Sequence, residues 1–134
     1  MPIISSIESK NQLIVHRCRG ELNVQDFMKA FDAAIELYGY QPGMNVLWDV
    51  QQLKLGTPFG SIQRMVSHIN FKREERGTKY RLAVLTGSTI QVAIANIFKS
   101  LASTLSFNVS TFTNEDEARV WLFEPKVNQD SIVS

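Results

Sequence analysis

Hydrophobic residues fall along this chain in two alternating periods. Residues 44–50 carry five apolar side chains in seven positions, with Asp49 near the C-terminal end. That density reads as a strand buried on both faces, as in a parallel sheet. A polar linker, 51–56, follows. Thr57 can then cap a helix and Pro58 suits its first position. The predicted helix spans 58–76, with Phe59, Ile62, Val66 and Ile69 as its buried stripe. A second unit repeats the arrangement: a strand over 79–86, a turn at Gly87 and a helix over 89–105. Ser88 and Gln91 have capping-box spacing there.

The flanking segments extend the pattern. Residues 3–8 and 12–19 favour extended backbone and are joined by 9–11, which predicts a β-hairpin, the one antiparallel pairing expected. A helix over 24–38 follows, capped by Asn23, with Phe27, Ala30, Phe31, Ala34, Ile35 and Tyr38 on one face. Gly39 and Pro42 stop it. A last strand is expected over 107–112. Asn114 then caps a short helix whose first turn holds Glu115, Asp116 and Glu117, where the helix dipole favours acids. Residues 1–124 read as one α/β domain and 125–134 as a flexible tail. Consecutive strand-to-helix units place the recognition edge at the C-terminal ends of the strands.

Composition narrows the function classes. The 134 residues carry 14 Lys plus Arg against 13 Asp plus Glu, a net charge of +1. Such balance argues against a nucleic-acid or anionic-membrane binder, and it leaves little electrostatic barrier to self-association. A lone cysteine, Cys18, offers no internal disulfide, so a reducing cytoplasm is the expected setting. The N-terminus lacks a signal-peptide pattern. The longest apolar stretch, near 92–105, is broken by Asn96, Lys99 and Ser100, so no membrane span is expected.

Segments 42–49, 81–86 and 113–122, in this order and joined by the helix at 24–38, resemble a STAS domain. The closer resemblance is to the SpoIIAA-like group, related to STAS and to the lipid-binding CRAL-TRIO fold. It covers most of residues 3–123. It implies a β-α superhelix: a mixed, mostly parallel five-stranded sheet with an N-terminal hairpin and about four helices. It also implies a non-catalytic role in binding or regulation. STAS proteins that antagonise anti-sigma factors carry a phosphorylated serine in an Asp-Ser-Ser-Gly motif. The matching place here holds Thr57, Pro58, Phe59 and Gly60, so the switch serine is replaced and Thr57 and Ser61 are the neighbouring hydroxyls.

Several residues are candidates for chemistry. Asp49 can contact a cation or partner, or accept hydrogen bonds from the amides of the next loop. Thr86, Gly87, Ser88 and Thr89 offer amides and hydroxyls that can hold an anion or merely cap the helix. His16 and Cys18 share a strand face, but no third ligand completes a metal site. Lys72, Arg73, Arg76, Lys79 and Arg81 read as a solvated helix end that complements the dipole. Ser61, Asp49 and His68 compose a hydrolase trio only on paper.

The helix at 89–105 is apolar on more than one face. Ile90, Ile94, Ile97, Phe98 and Leu101 are therefore candidates for an interface. The leading expectation is a non-enzymatic interaction module with no cofactor or metal. It would meet a protein partner or a second copy of itself through Asp49, Thr57, Ser61 and residues 86–89. The alternative is a binder of a small apolar or lipid-like ligand, and a small hydrolase ranks below both.

Overall fold

The computed structural model describes residues 3–55 and 60–125. The expected cap at Thr57, with Pro58 and Phe59, lies outside the described residues, as does 126–134 of the expected tail. The chain runs β1 (Ile3–Glu8), β2 (Leu13–Leu22), α1 (Val24–Ile35), β3 (Asn45–Leu55), α2 (Gly60–Phe71), α3 (Arg73–Arg76), β4 (Arg81–Leu85), α4 (Thr89–Leu101), β5 (Asn108–Phe112) and α5 (Glu115–Phe123). The five strands lie in sequence order in one sheet. β1 and β2 are antiparallel, with Ser5 opposite His16. Every other pair is parallel, including β3 and β4, where Val46 faces Leu82. The α/β architecture and the N-terminal hairpin are those expected.

Strand alternation divides the core into two layers. Leu13, Val15, Leu47, Ala83 and Leu85 point to one face, where Ala118 and Leu122 of α5 cover them. Each fully buried leucine there contributes roughly 2 kcal/mol. Ile14, Cys18, Val46, Val50, Leu82 and Val84 point to the other face. Phe31 and Ala34 of α1, Ile62, Val66 and Ile69 of α2, and Ala95 and Phe98 of α4 pack over it. One helix thus covers one face, while three share the other.

β2 runs on to Leu22 rather than stopping at residue 19, still paired with β3, and four further boundaries differ from expectation, each for a local reason. α1 ends at Ile35 because Glu36 and Leu37 donate to Ala33 O and Ala34 O, tightening the last turn. Tyr38 is consequently 99% exposed rather than on the buried stripe. β3 does not stop at residue 50. Arg17 faces Asp49 but Arg19 faces Gln52, so two steps on β2 match three on β3. This bulge carries the strand on to Leu55 and leaves Asp49 mid-strand. The predicted helix over 58–76 is broken at Lys72 into α2 and α3, making five helices rather than four. α4 stops at Leu101, and a 3-10 turn over Ala102–Thr104 replaces its expected last turn.

The caps at the other ends follow the sequence. Asn23 accepts from Asp26 N while Asp26 accepts from Asn23 N, a reciprocal box. Asn114 accepts from Glu117 N.

The α3 terminus is locked by a close backbone approach. Gly77 has φ +85° and ψ −178°, a region open essentially to glycine alone. A Cβ there would run into the backbone of Gly43, whose N–H donates to Arg76 O at 2.8 Å. Gly77→Ala should therefore lower unfolding stability by more than about 2 kcal/mol, read by urea denaturation. A loss below about 0.5 kcal/mol, ordinary for an exposed substitution, would show that this approach does not constrain the fold.

Candidate functional site

The face shared by three helices is not completely filled. A cavity of about 110 Å³ lies between α1, α2, α4 and the sheet. Phe31, Val46, Val84, Ala95 and Phe98 are among its walls. Its polar members are few: His16, His68, Arg76, Tyr80 and Gln91. Among the described residues, no Ser, Thr, Cys, Lys, Asp or Glu side chain lines it.

Arg76 is the unexpected member. The sequence places it in a solvated helix end, yet it is only 3% exposed. It falls seven residues after Ile69, the spacing from Ile62 to Ile69, and α3 turns it inward beyond the break at Lys72. Its guanidinium carbon lies 3.8 Å over the Tyr80 ring, a cation–π contact. Nη2 donates to Met44 O at 2.5 Å. Nη1 is buried and has no hydrogen-bond partner among the described residues. The Tyr40 hydroxyl donates its proton to Glu75 O at 2.7 Å and accepts from the guanidinium, which favours the charge. Burial presses the guanidinium below its ordinary value, opposed by Tyr80 and Tyr40.

The other polar members are committed. His16 faces Trp48 across the β2–β3 ladder and stacks on it at 3.8 Å between ring centroids. Its Nδ1 shares a 2.6 Å hydrogen bond with Ser5 Oγ. Burial, and secondarily the Arg76 charge, holds the imidazole down at about 3, so it is neutral. His68 Nε2 pairs with Asp32 Oδ1 of α1 at 2.7 Å. Gln91 fastens the outer part of β3 to α4: its Nε2 donates to Gln51 O and Leu53 O, and its Oε1 accepts from Gly87 N.

The expected rim residues do not form one site. Asp49 points to the opposite, α5-covered face. There Arg17 bridges Asp49 at 3.0 Å and Glu115 at 2.7 Å, and Arg119 links Glu115 to Glu8. In this chain of five charges, the arginine hydrogen bonds hold the Glu8 and Glu115 carboxyls down at about 2. Asp49 also accepts from Gln51 N at 3.1 Å. Ser61 is half-buried at the start of α2, on the cavity side. Thr86 is buried and donates its hydroxyl to Phe112 O. Gly87, Ser88 and Thr89 are exposed, but the Gly87 and Gln91 amides are already taken by the Gln91 and Ser88 side chains. Thr57 is outside the described residues.

The trio of Ser61, Asp49 and His68 is not assembled, because Asp49 lies across the sheet and His68 is paired with Asp32. Cys18 is buried, and burial pushes its thiol up to about 12, with Asp49 adding to the shift. Of the proposed interface on α4, Ile90 is 63% exposed and Leu101 38%. Ile94 and Ile97 are half-buried, whereas Phe98 is buried and faces the cavity rather than a surface. Among the described residues, no helix is long and apolar enough to cross a membrane, and no cluster of three His, Cys, Asp or Glu side chains could hold a metal.

The sequence matches the SpoIIAA-like family over residues 13–123, and the chain belongs to that family. No curated protein matches it. Among solved structures, it is similar to an uncharacterized protein of the DUF3478 family with a SpoIIAA-like fold from Shewanella loihica PV-4. That pair has a TM-score of 0.59 at 14% identity, over 90% of this chain and 93% of the other. It is also similar to the anti-sigma factor antagonist SpoIIAA in its unphosphorylated form. Here the TM-score is 0.51 at 17% identity, over 89% and 94% of the two chains. At these identities the likeness establishes the fold.

A neutral, buried His16 has a consequence for stability. Its folded-state value of about 3 lies below the ordinary 6.5. The unfolded chain therefore takes up a proton below pH 6.5 that the fold refuses. Stability is fully present above pH 6.5 and falls as pH drops towards 3, by up to about 1.4 kcal/mol per unit. His16→Phe, which keeps an aromatic ring against Trp48, should flatten this loss in urea melts at pH 7, 6 and 5. Parallel losses in the two proteins would contradict a histidine held neutral.

Proposed function

We propose that this chain is a non-enzymatic binding module whose site is the cavity beneath α1, α2 and α4. The observation that carries this reading is the cavity itself, a concavity lined almost wholly by apolar side chains of α1, α2, α4 and the sheet. Ligand sites are typically apolar concavities with a few placed polar groups. Its size suits a small body: an apolar cavity of about 150 Å³ in an engineered protein stays dry and takes benzene. Catalysis finds little support. Nucleophilic chemistry needs an activated nucleophile within reach of a base, and the lining supplies His16, held neutral, and His68, paired with Asp32, but no hydroxyl except Tyr80.

A second reading, regulation through a protein partner or a second copy, draws on two observations. Its structural neighbour is an anti-sigma factor antagonist, and Ile90 and Leu101 remain open on α4. The first is an argument from fold kinship. The two readings join naturally if occupancy of the cavity shifts α4, whose inner side lines it and whose outer side meets the partner.

A cavity-filling substitution tests the leading reading. Ala95 is buried on α4 and lines the cavity. Overpacking a filled core typically costs about 1–3 kcal/mol, so Ala95→Leu should cost less than that here. Toluene should raise the Tm of the parent protein and leave that of Ala95→Leu unchanged. The full overpacking penalty, together with no toluene effect on the parent, would contradict a ligand-sized void.

A further inference from the structure

We infer that the cavity selects small monocarboxylates, with the Nη1 edge of Arg76 as the anchor for the carboxylate and the apolar walls as the seat of a short branched or single-ring body. The inference rests on the cavity being a ligand site, as proposed above, and adds the chemistry of what fills it.

Arg76 is 3% exposed and lines the cavity. Its guanidinium is always charged. Yet among the described residues it has no ion-pair partner, and Nη1 makes no hydrogen bond. The Tyr80 face, Met44 O and the Tyr40 hydroxyl engage the rest of the group. These contacts fix its orientation without neutralising it. A buried cation lacking both a counter-ion and a full set of acceptors is the arrangement that natural cores avoid. Among the described residues no carboxylate pairs with it: Asp32 takes His68, and Glu8, Asp49 and Glu115 take the arginines of the opposite face. His16 is held neutral and His68 is paired with Asp32, so Arg76 is the cation of the lining that has no carboxylate partner among the described residues.

The composition of the site sets the class of ligand. One fixed positive charge with one free nitrogen matches one negative charge. A phosphate dianion would bring a second charge that nothing in the lining meets. A neutral apolar molecule would fill the walls but leave Nη1 unsatisfied, and an amine would oppose the guanidinium. A carboxylate satisfies Nη1 by a charge-assisted hydrogen bond in a water-poor environment, where such bonds are strong. The volume of about 110 Å³ limits the body to a few carbons.

The test compares isobutyrate, isovalerate and benzoate with isobutanol, isoamyl alcohol and benzyl alcohol, by calorimetric titration of the whole protein at neutral pH. The expected result is that the best acid binds at least about tenfold more tightly than its alcohol. In Arg76→Met, which removes the charge but keeps much of the volume, that preference should fall below about threefold, while the alcohols bind as before. Arg76→Lys should keep part of the preference. Alcohols binding as well as acids would overturn the carboxylate assignment while leaving the apolar site standing. A preference undiminished in Arg76→Met would overturn Arg76 as the anchor. Failure of acids and alcohols alike would reject both the assignment and the ligand site. Should Arg76→Met not fold, the acid-to-alcohol ratio in the parent protein still decides.

Discussion

The structure depends on an unequal division of labour between the two faces of one sheet. α5 alone seals its face, with Ala118 and Leu122 pressed against five strand residues. The opposite face is roofed by α1, α2 and α4, which also meet one another, as where His68 of α2 pairs with Asp32 of α1. Interiors pack close to crystal density wherever side chains can reach. Three helices over one sheet face do not close every gap, and a void persists over Val46 and Val84. The void, the buried guanidinium beside it and the neutral His16 are consequences of that geometry.

Arg76 ties these consequences together. It ends α3, holds Met44 at the entrance of β3, and stacks on Tyr80 just before β4. It thus joins the helical layer to the two central strands through polar contacts inside an apolar core. Burying a lone charge is destabilising, often by several kcal/mol, unless something compensates. Tyr80 compensates in part. Holding a cation partly satisfied at a cavity wall is a feature that packing alone does not require, and it gives the binding reading its chemical direction.

Most of the fold was legible in the sequence because periodicity is a direct image of burial. The dense apolar runs at 44–50 and 79–86 gave parallel central strands, and Asn23, Ser88 and Asn114 marked three helix starts. What escaped had subtler signals. The bulge at Asp49 came with Leu53 and Leu55 in alternation beyond it, a strand pattern hidden by the glutamines and lysine between. Arg76 stood seven residues after Ile69, the spacing from Ile62 to Ile69, but its charge argued for solvent. The link from Arg17 to Asp49 and Glu115 needed the sheet register and the placement of α5 together. The cavity had no signature at all: residue types say which side chains go inside, not whether their volumes fill the space. The expected rim failed for a related reason, since alternation sends Asp49 to one face while α2 and α4 start over the other.

The core beneath α1, α2 and α4 holds a ligand-sized space beside Arg76. Xenon enters apolar voids of this kind without needing polar partners. A crystal pressurised with xenon should show a single strong site in contact with Phe31, Val84 and Phe98. A xenon-pressurised crystal with no such site, and with side chains closing the gap, would contradict the claim.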